Sequence, residues 1–190
     1  MSKVIAIDLG GTNLRAALVK DNKILKYIKK KTPKNKNDLL KEMVDSIFSL
    51  MTEDVKAIGI GSPGPLKNGI IQNPPNLPFK NFNLKKYLEL QFKKRVVIEN
   101  DAKCVAIAEA NLGCRKKNFI ILTLGTGIGG GIIINGKLYK GDGNAGELGH
   151  IILDNGKDFE SLWKEKGGKI KELFKNKEKE KLKIVSKYLA

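Results

Sequence analysis

The residues of this chain that could carry chemistry begin with two glycine turns. DLGGT (8–12) and LGTGIGGG (124–131) each place glycines between two short apolar runs. Small residues at such a turn let backbone N–H groups approach an anion, so either turn could bind phosphate. A single glycine turn is more often structural, but two, with Asp8 leading the first and a threonine in both, are a more specific signal of phosphate binding.

Asn100 and Asp101 stand where a predicted strand, VVIEN (96–100), gives way to a predicted helix. Open α/β sheets present their binding and catalytic groups at the carboxyl ends of strands. Asp101 could therefore act as a general base that takes a proton from a substrate hydroxyl. The alternative is structural, because either Asn100 or Asp101 could cap the helix.

GELGH (146–150) contains the chain's only histidine. Glu147 and His150 supply a carboxylate and an imidazole three residues apart, polar groups suited to holding a polyol. A lone histidine could also be a metal ligand or a packed core residue. Cys104 and Cys114 form no CxxC pattern and have no histidine nearby, so the sequence indicates neither a disulfide framework nor a zinc site.

The elements that must position these residues start with a meander. Three alternating or apolar runs, 4–10, 13–20 and 23–30, are separated by GGT and DN turns and predict three antiparallel strands. We expect Asn37 or Asp38 to cap a helix, because apolar residues then recur at helical spacing. These residues are Leu39, Leu40, Met43, Ile47 and Leu50.

The chain then returns as a buried strand, VKAIGIG (55–61), followed by a stretch with five of the six prolines. We predict no regular structure in that stretch, 62–79, but an ordered loop that lines a site. A short helix near 83–93, the strand 96–100 and a helix from Asp101 to Leu112, closed by Gly113, come next.

A second meander is predicted from FIILTLG, GIGGGIIING and KLYKG, and the chain becomes helical and highly charged from Asp158. The element order indicates an α/β protein of duplicated β-β-β-α-β units with mixed sheets, the second unit incomplete. We expect the first domain to span 1–113 and the second 114–190, with the boundary at CRKKN (114–118).

The charge balance does not indicate a specific nucleic-acid partner, although the net charge is +16. The chain has three arginines, spreads its lysines from end to end and has few aromatic residues, so base readout and base stacking lack their usual side chains. The longest run without a charged residue contains the stretch 119–134, whose five glycines predict two strands rather than a membrane span. Only four apolar residues separate Lys3 from Asp8, too few for a signal peptide, so we expect a cytoplasmic protein without membrane contact.

Five ordered motifs, running from Val4 to about Ser161, resemble those of the ROK family of sugar kinases and sugar-responsive repressors. DLGGTNLRAAL is similar to the family's first phosphate motif, and LTLGTGIGGGIIINGKLYKG to its second. GSPGP with the later PPNLP resembles its sugar-domain loop, ENDAKCVAIAE its catalytic motif, and GELGH its sugar-binding signature. The resemblance implies an actin-like ATPase, or ribonuclease H-like, fold.

The resemblance also implies a glucokinase-like reaction in which ATP, with Mg²⁺, phosphorylates a hexose. Asp101 would be the general base as the sugar hydroxyl attacks the γ-phosphate, and Asp8 would help to place Mg²⁺, without necessarily touching it. The sugar would be held by Asn100, Asp101, Glu147, His150 and Glu160. The phosphates would be held by the backbone around Gly10, Gly11, Thr12, Gly125, Thr126 and Gly127.

The chain departs from the family in two places. Many ROK proteins bind zinc through the histidine of GELGH and three following cysteines, but HIILDNGKDFES has no cysteine and reaches Glu160 over a shorter loop. We therefore predict no zinc. Family members also continue beyond the region that KIVSKYLA resembles, into a strand and an adenosine-contacting segment. We therefore expect either a complementary C-terminal chain or a homo-oligomer.

Three functions stay open at this point. The first is a hexose kinase, whole or as one half of a two-chain enzyme; the second is a sugar-binding or regulatory protein without catalysis. The third is a fragment without function. The family uses glucose, mannose, fructose, allose and N-acetylated amino sugars, and the sequence does not choose among them.

Overall fold

The fold begins with an antiparallel meander. The computed structural model describes residues 2–125 and 127–165. Strand β1 spans Lys3–Leu9, β2 Asn13–Lys20 and β3 Lys23–Lys31, and both neighbouring pairs are antiparallel, as predicted. The β2–β3 turn uses Asp21 and Asn22 at positive φ, the conformation that favours tight hairpins.

Two parallel strands widen this meander into a mixed sheet. Strand β4 (Val55–Ser62) pairs with β1, and β8 (Arg95–Asn100) pairs with β4, which gives the order β3-β2-β1-β4-β8. Alternate residues of β1, such as Ile5, Ile7 and Leu9, are buried while those between them are exposed. This period of two places one face of the sheet against the core.

Helix α1 (Lys36–Leu50) covers that face. The five apolar positions predicted for it are all buried. The capping residue was predicted wrongly: Asn35, not Asn37 or Asp38, caps the helix, because its Oδ1 accepts hydrogen bonds from the N–H groups of Asn37 (2.8 Å) and Asp38 (3.3 Å).

The proline-rich stretch contains more regular structure than predicted. Strands β5 (Leu66–Lys67), β6 (Ile70–Ile71) and β7 (Phe82–Asn83) form a small antiparallel sheet. Asn68 and Gly69, both at positive φ, make the tight turn between β5 and β6. The prolines lie outside these two strands and so do not interrupt them. The segment is packed into the core, since Ile71, Leu77 and Phe79 are buried. Helix α2 (Leu84–Phe92) follows, as predicted.

Helix α3 (Asp101–Asn111) starts directly at the end of β8. Contacts divide the chain into two compact units, and the division falls inside α3, between Cys104 and Val105. The predicted boundary at 114–118 lies further along the chain and stays a prediction.

The second unit contains the second predicted meander, β9 (Phe119–Leu124), β10 (Ile128–Ile134) and β11 (Lys137–Tyr139), all antiparallel. A 3₁₀ turn at Leu148–His150, a short hairpin and helix α4 (Phe159–Glu165) follow. The hairpin consists of β12 (Ile152–Asp154) and β13 (Lys157–Asp158). The charged end predicted to be helical lies beyond Glu165, outside the described residues. None of the helices in the described part is long and apolar enough to cross a membrane.

Candidate functional site

In the first unit, the carboxyl ends of the three parallel strands bring the predicted catalytic residues to one edge of the sheet. The register pairs Asp8 of β1 with Gly61 of β4, and Ser62 of β4 with Asn100 of β8. Gly61 has no side chain between its neighbours: a Cβ there would lie 3.8 Å from the Asp101 Cα and 3.8 Å from the Ile7 carbonyl oxygen. Asp8 and Asp101 therefore share this edge, the place where such sheets present functional groups.

Asp8 is not a free carboxylate. Its Oδ2 lies 2.5 Å from Nη1 of Arg15, its partner across the β1–β2 ladder. Both side chains are about half exposed. The hydrogen bond and then the charge of Asp8 raise the pKa of Arg15 above its ordinary value. The pair leaves Asp8 with one carboxylate oxygen free of Arg15, so it could contribute one ligand or a water contact to a cation.

The first glycine turn, Gly10–Thr12, is held by its carbonyl groups. Thr32 Oγ1 donates to the Gly10 oxygen at 2.6 Å, Lys34 Nζ to the Gly11 oxygen at 2.9 Å, and the Thr32 N–H to the Thr12 oxygen at 3.0 Å. In a trans peptide the N–H points away from the preceding carbonyl. The N–H groups of Gly11, Thr12 and the next residue are therefore directed away from the 32–34 segment, as an anion cradle requires.

The proline-rich loop supports the same turn. A Cβ on Gly11 would lie 2.5 Å from the Cβ of Asn76 and 3.2 Å from its carbonyl oxygen, so only glycine fits there. Asn76 belongs to PPNLP, which the sequence analysis assigned to a sugar loop. The structure places this part of the loop against the first glycine turn.

Asn100 and Asp101 also carry the structural roles that the sequence left open. Asn100 Oδ1 accepts a hydrogen bond from the Lys103 N–H at 3.1 Å, which caps α3. Asp101 Oδ1 accepts one from the Ala102 N–H at 2.8 Å. Its Oδ2 accepts no hydrogen bond from a described residue, and Asp101 is exposed. Asp101 thus has an orienting bond on one oxygen and the other oxygen available for a hydroxyl.

The second glycine turn is held differently. Gly125 N–H donates to the Gly127 oxygen at 3.0 Å, and the Ile128 N–H donates to Glu160 Oε2 at 2.9 Å. A Cβ on Gly127 would collide with that carboxylate. Thr126 lies outside the described residues. Glu160, predicted as a sugar ligand, therefore touches the second glycine turn of its own unit.

Glu160 is kept ionised by its neighbours. Partial burial is the largest single influence and raises the pKa of its carboxyl. The hydrogen bonds from Lys164 and from the Ile128 N–H, with the charges of Lys164 and His150, outweigh it, so the pKa lies below its ordinary value. Lys164 Nζ lies 2.5 Å from Glu160 Oε1, one helical turn along α4.

Several glycines near the second turn serve packing. A Cβ on Gly130 would lie 2.7 Å from the Gly146 oxygen, and one on Gly149 would lie 2.5 Å from the Ile128 oxygen. GELGH therefore lies directly against β10, because a glycine at each contact lets the two backbones approach closely. The glycines that made LGTGIGGG resemble a phosphate loop are only partly in the turn, and Gly130 lies in the strand.

Glu147 and His150 lie at the two ends of the 3₁₀ turn, and His150 is its last residue. Glu147 precedes it, and its side chain makes no capping hydrogen bond. The His150 side chain is 68% exposed, which excludes the packed core residue that the sequence left open. Its Nδ1 lies 3.7 Å from Asp158 Oδ2, too far for a hydrogen bond but close enough for an ionic contact. Asp158 in turn accepts from the Ser161 N–H at 2.7 Å.

Bonds to Ser161 are the largest influences that lower the pKa of Asp158, and His150 adds to them. Asp158 is thus fixed as an anion beside His150. The sequence analysis missed Asp158 as the group that faces His150.

The sequence analysis also missed Thr32, Lys34 and Asn76, which hold the first turn from 20 or more residues away in the chain. A weak signal was present: Thr32 precedes Pro33, which favours extended backbone at Thr32 and continues strand β3 toward the turn. No group of three or more potential metal-binding side chains converges in the part of the chain that the structure describes. The absence of zinc stays a prediction.

Comparisons with known proteins agree with this architecture. The glucokinase of Thermotoga maritima is 38% identical over 162 residues, 80% of this chain and 51% of that protein. The beta-glucoside kinase of Listeria monocytogenes is 38% identical over 160 residues, 80% of this chain and 54% of that protein. The chain spans about half the length of the curated relatives it matches.

A solved ROK family glucokinase from Streptomyces griseus, in complex with glucose and AMPPNP, superimposes with a TM-score of 0.72. It is 34% identical, and the match covers 80% of this chain and 51% of that one. A ROK family transcriptional regulator homologous to the E. coli MLC protein superimposes with a TM-score of 0.74. It is 25% identical, and the match covers 82% of this chain and 44% of that one. These neighbours confirm the predicted actin-like ATPase fold. Since the ROK family profile matches residues 4–170, well over half of the sequence, the chain belongs to the ROK family.

Proposed function

We propose that the chain takes part in the ATP-dependent phosphorylation of a hexose, as its glucokinase relatives imply. The observation that carries the proposal is the edge of the first sheet, which brings Asp8, the Gly10–Thr12 turn and Asp101 together. Phosphoryl transfer depends on positioning and charge neutralisation more than on covalent help from the protein. A carboxylate base, a cation-binding carboxylate and an N–H cradle supply these needs.

In the proposed reaction, Asp101 accepts the proton of a sugar hydroxyl. The hydroxyl oxygen forms a bond to the γ-phosphorus of ATP, and the bond from that phosphorus to the bridging oxygen breaks, releasing ADP. The available Oδ2 of Asp101 suits this role, since its Oδ1 is already fixed by the Ala102 N–H. Asn100 caps α3 through Oδ1, so its Nδ2 amide is the part that would contact the sugar.

Magnesium fits the first turn in a limited way. Mg²⁺ in kinases takes phosphate oxygens, water and only one or two carboxylates. The second oxygen of Asp8 could supply one such ligand or bind a coordinated water, while Arg15 keeps the carboxylate in place. When bound, Mg²⁺ would neutralise phosphate charge.

The sugar-binding residues of the second unit are proposed to be Glu147, His150 and Glu160. The exposed His150 ring lies with Nδ1 3.7 Å from Asp158 Oδ2, and its Nε2 would contact a sugar hydroxyl. Glu160 would keep Oε2 on the Ile128 N–H and use the oxygen bonded to Lys164 toward the sugar. Replacing His150 with alanine should weaken sugar binding without lowering the unfolding temperature; unchanged sugar affinity would end its role as a ligand.

The test of the whole proposal is a coupled assay of ADP release with glucose and MgATP. It should be run on the chain alone and with a polypeptide that supplies the part of the relatives it does not match. Asp101→Ala should lower turnover at least about a hundredfold, because a general base contributes at least that much to the rate. Asp45→Asn, at an exposed aspartate of α1, is the matched control and should leave turnover unchanged. No turnover in either format would refute the kinase proposal.

A second candidate, a sugar-binding regulator without catalysis, is favoured by the structural match to the ROK transcriptional regulator. It requires sugar binding without ADP release and a partner that responds to the sugar. Calorimetric titration with glucose separates the two functions, because a regulator would bind glucose but leave MgATP unhydrolysed. DNA binding through lysine charge alone would be sequence-indifferent and lost with salt.

A further inference from the structure

We infer that the segment Thr32–Lys34, which we name the clasp, is a positioning device for the phosphate groups of the nucleotide. The inference rests on the proposed function, because it assigns the Gly10–Thr12 turn to nucleotide phosphates. It adds residues outside every motif that carries the family resemblance, since the first phosphate motif ends at Leu18 and the sugar loop begins at Gly61.

The clasp contacts each carbonyl of the turn once. Thr32 bridges the turn, because its hydroxyl reaches the Gly10 oxygen while its own N–H reaches the Thr12 oxygen. Lys34 takes the Gly11 oxygen between them. A turn with three engaged carbonyls cannot rotate its peptide planes, so the N–H groups opposite those carbonyls keep one direction without a ligand.

The clasp is itself anchored at both ends. Thr32 directly follows β3 and is 5% exposed, so its hydroxyl is held inside the structure. After Pro33 and Lys34, Asn35 caps α1, whose buried face packs on the sheet. A segment fixed between a strand and a helix can hold the turn more rigidly than a mobile loop would.

The direction of the charges supports nucleotide phosphate as the group that the turn receives. The Lys34 ammonium binds the Gly11 oxygen and polarises the peptide whose N–H belongs to Thr12, which makes that N–H a stronger donor. The Asp8 carboxylate, two residues before the turn, is already paired with Arg15. An anion therefore meets donors rather than an uncompensated carboxylate.

Thr32 and Lys34 would act on the nucleotide only through the turn, so they are positioning residues rather than catalytic ones. The experiment compares Thr32→Val, which keeps the shape of threonine but removes the hydroxyl, with Thr32→Ser, which keeps the hydroxyl. MgATP and glucose affinities of the full chain are measured by calorimetric titration, together with unfolding temperature.

We expect Thr32→Val to weaken MgATP binding about tenfold, the equivalent of about 1.4 kcal/mol, because one buried acceptor loses its donor. Glucose affinity should change less than about twofold, and Thr32→Ser should restore MgATP affinity to within about threefold of the starting protein. Equal losses for glucose and MgATP would show a merely structural role and overturn the inference, as would unchanged MgATP affinity in Thr32→Val.

Lys34→Met with Lys34→Arg as its matched control tests the polarising charge. The methionine variant should bind MgATP about threefold more weakly, and the difference should shrink in high salt because the ammonium is exposed. Arginine should restore binding. A salt-independent loss, or no loss, would remove Lys34 from the clasp.

Hydrogen exchange separates failure of this inference from failure of the proposed function. Thr32→Val should speed exchange in the segment 8–13 relative to Thr32→Ser, whether or not nucleotide binds. If no MgATP binds to the starting protein, either alone or with the complementing polypeptide, the kinase proposal fails, and a difference in exchange still supports the clasp as the device that holds the turn. If exchange in 8–13 is the same in both variants, the clasp is refuted whatever the nucleotide result.

Discussion

The two glycine turns of this chain have similar sequences but are held from opposite sides. The first turn is held at its carbonyl oxygens by Thr32 and Lys34, so its N–H groups are directed outward. The second is held at an N–H, where the Glu160 carboxylate accepts from Ile128. Glycine spacing alone therefore does not define an anion site; the groups that hold the turn decide which of its faces remains available.

This difference has an electrostatic consequence. A phosphate at the second turn would meet the Glu160 carboxylate already bound there, a repulsion that the ion pair with Lys164 lessens. The first turn has a cation, Lys34, in the corresponding supporting position. We therefore expect the first turn to contribute more to nucleotide affinity than the described part of the second.

The largest difference between the two turns should appear when one methyl group is added to each in turn. Gly11→Ala puts a Cβ into the backbone and Cβ of Asn76, whereas Gly125→Ala meets nothing within 4 Å. Overpacking of this kind costs about 1–3 kcal/mol, and here it also shifts the N–H groups of the turn. Gly11→Ala should lower the unfolding free energy by about 2 kcal/mol and MgATP affinity at least tenfold.

Gly125→Ala is the control, with neither quantity expected to change by more than about 0.5 kcal/mol. Denaturant unfolding followed by circular dichroism gives the stability, and calorimetric titration gives the affinity. The comparison between the turns would break if Gly125→Ala reduced MgATP affinity as much as Gly11→Ala does.

A smaller effect is expected from Gly127→Ala. Its Cβ would collide with the end of the Glu160 side chain, which can rotate away but then loses the Ile128 N–H. The loss of one hydrogen bond should cost about 1 kcal/mol. Trp163, the only tryptophan, is buried beside Ile128 in the second unit, so its fluorescence reports this unit directly.

A double-mutant cycle checks the cause of that loss. In a Glu160→Gln background, Gly127→Ala should lower the free energy of unfolding by less than it does in the starting protein. The Ile128 N–H then donates to an uncharged amide oxygen, so less is lost when that hydrogen bond breaks. Strict additivity of the two changes would mean that the collision with Glu160 is not what destabilises Gly127→Ala.

The strands, helices and their order could be predicted because hydrophobic period and turn residues report local structure. Both meanders, α1 and the strand-to-helix junction at Asp101 follow from patterns a few residues long. The cap of α1 was misplaced by two or three residues, because Asn35, Asn37 and Asp38 are all acceptable caps by type and only geometry distinguishes them.

The supports of the turns could not be predicted in the same way. Thr32 reaches Gly10 across 22 residues and Glu160 reaches Ile128 across 32, so no local pattern links the partners. The small sheet β5-β6-β7 was missed because each of its strands has two residues, too few to show an alternating pattern. The neighbouring prolines, which lie outside these strands, also argued against regular structure. What decides which turn binds an anion is therefore tertiary structure, although the glycines themselves are visible in the sequence.

The smallest effect, from Glu160→Gln alone, should depend on pH with a defined sign. The pKa of Glu160 is lowered in the folded chain, so its ionised form stabilises folding at neutral pH, and that contribution disappears as pH falls through the lowered pKa. Trp163 fluorescence in denaturant should show Glu160→Gln less stable than the starting protein by at most about 1 kcal/mol at neutral pH, with the gap closing as the pH falls through the lowered pKa of Glu160. Asp158 titrates in the same acid range but is present in both proteins, so its effect cancels in the difference. A gap that widened in acid would mean that the carboxylate on the second turn is destabilising, and the two turns would then differ in strain rather than in the charge that holds them.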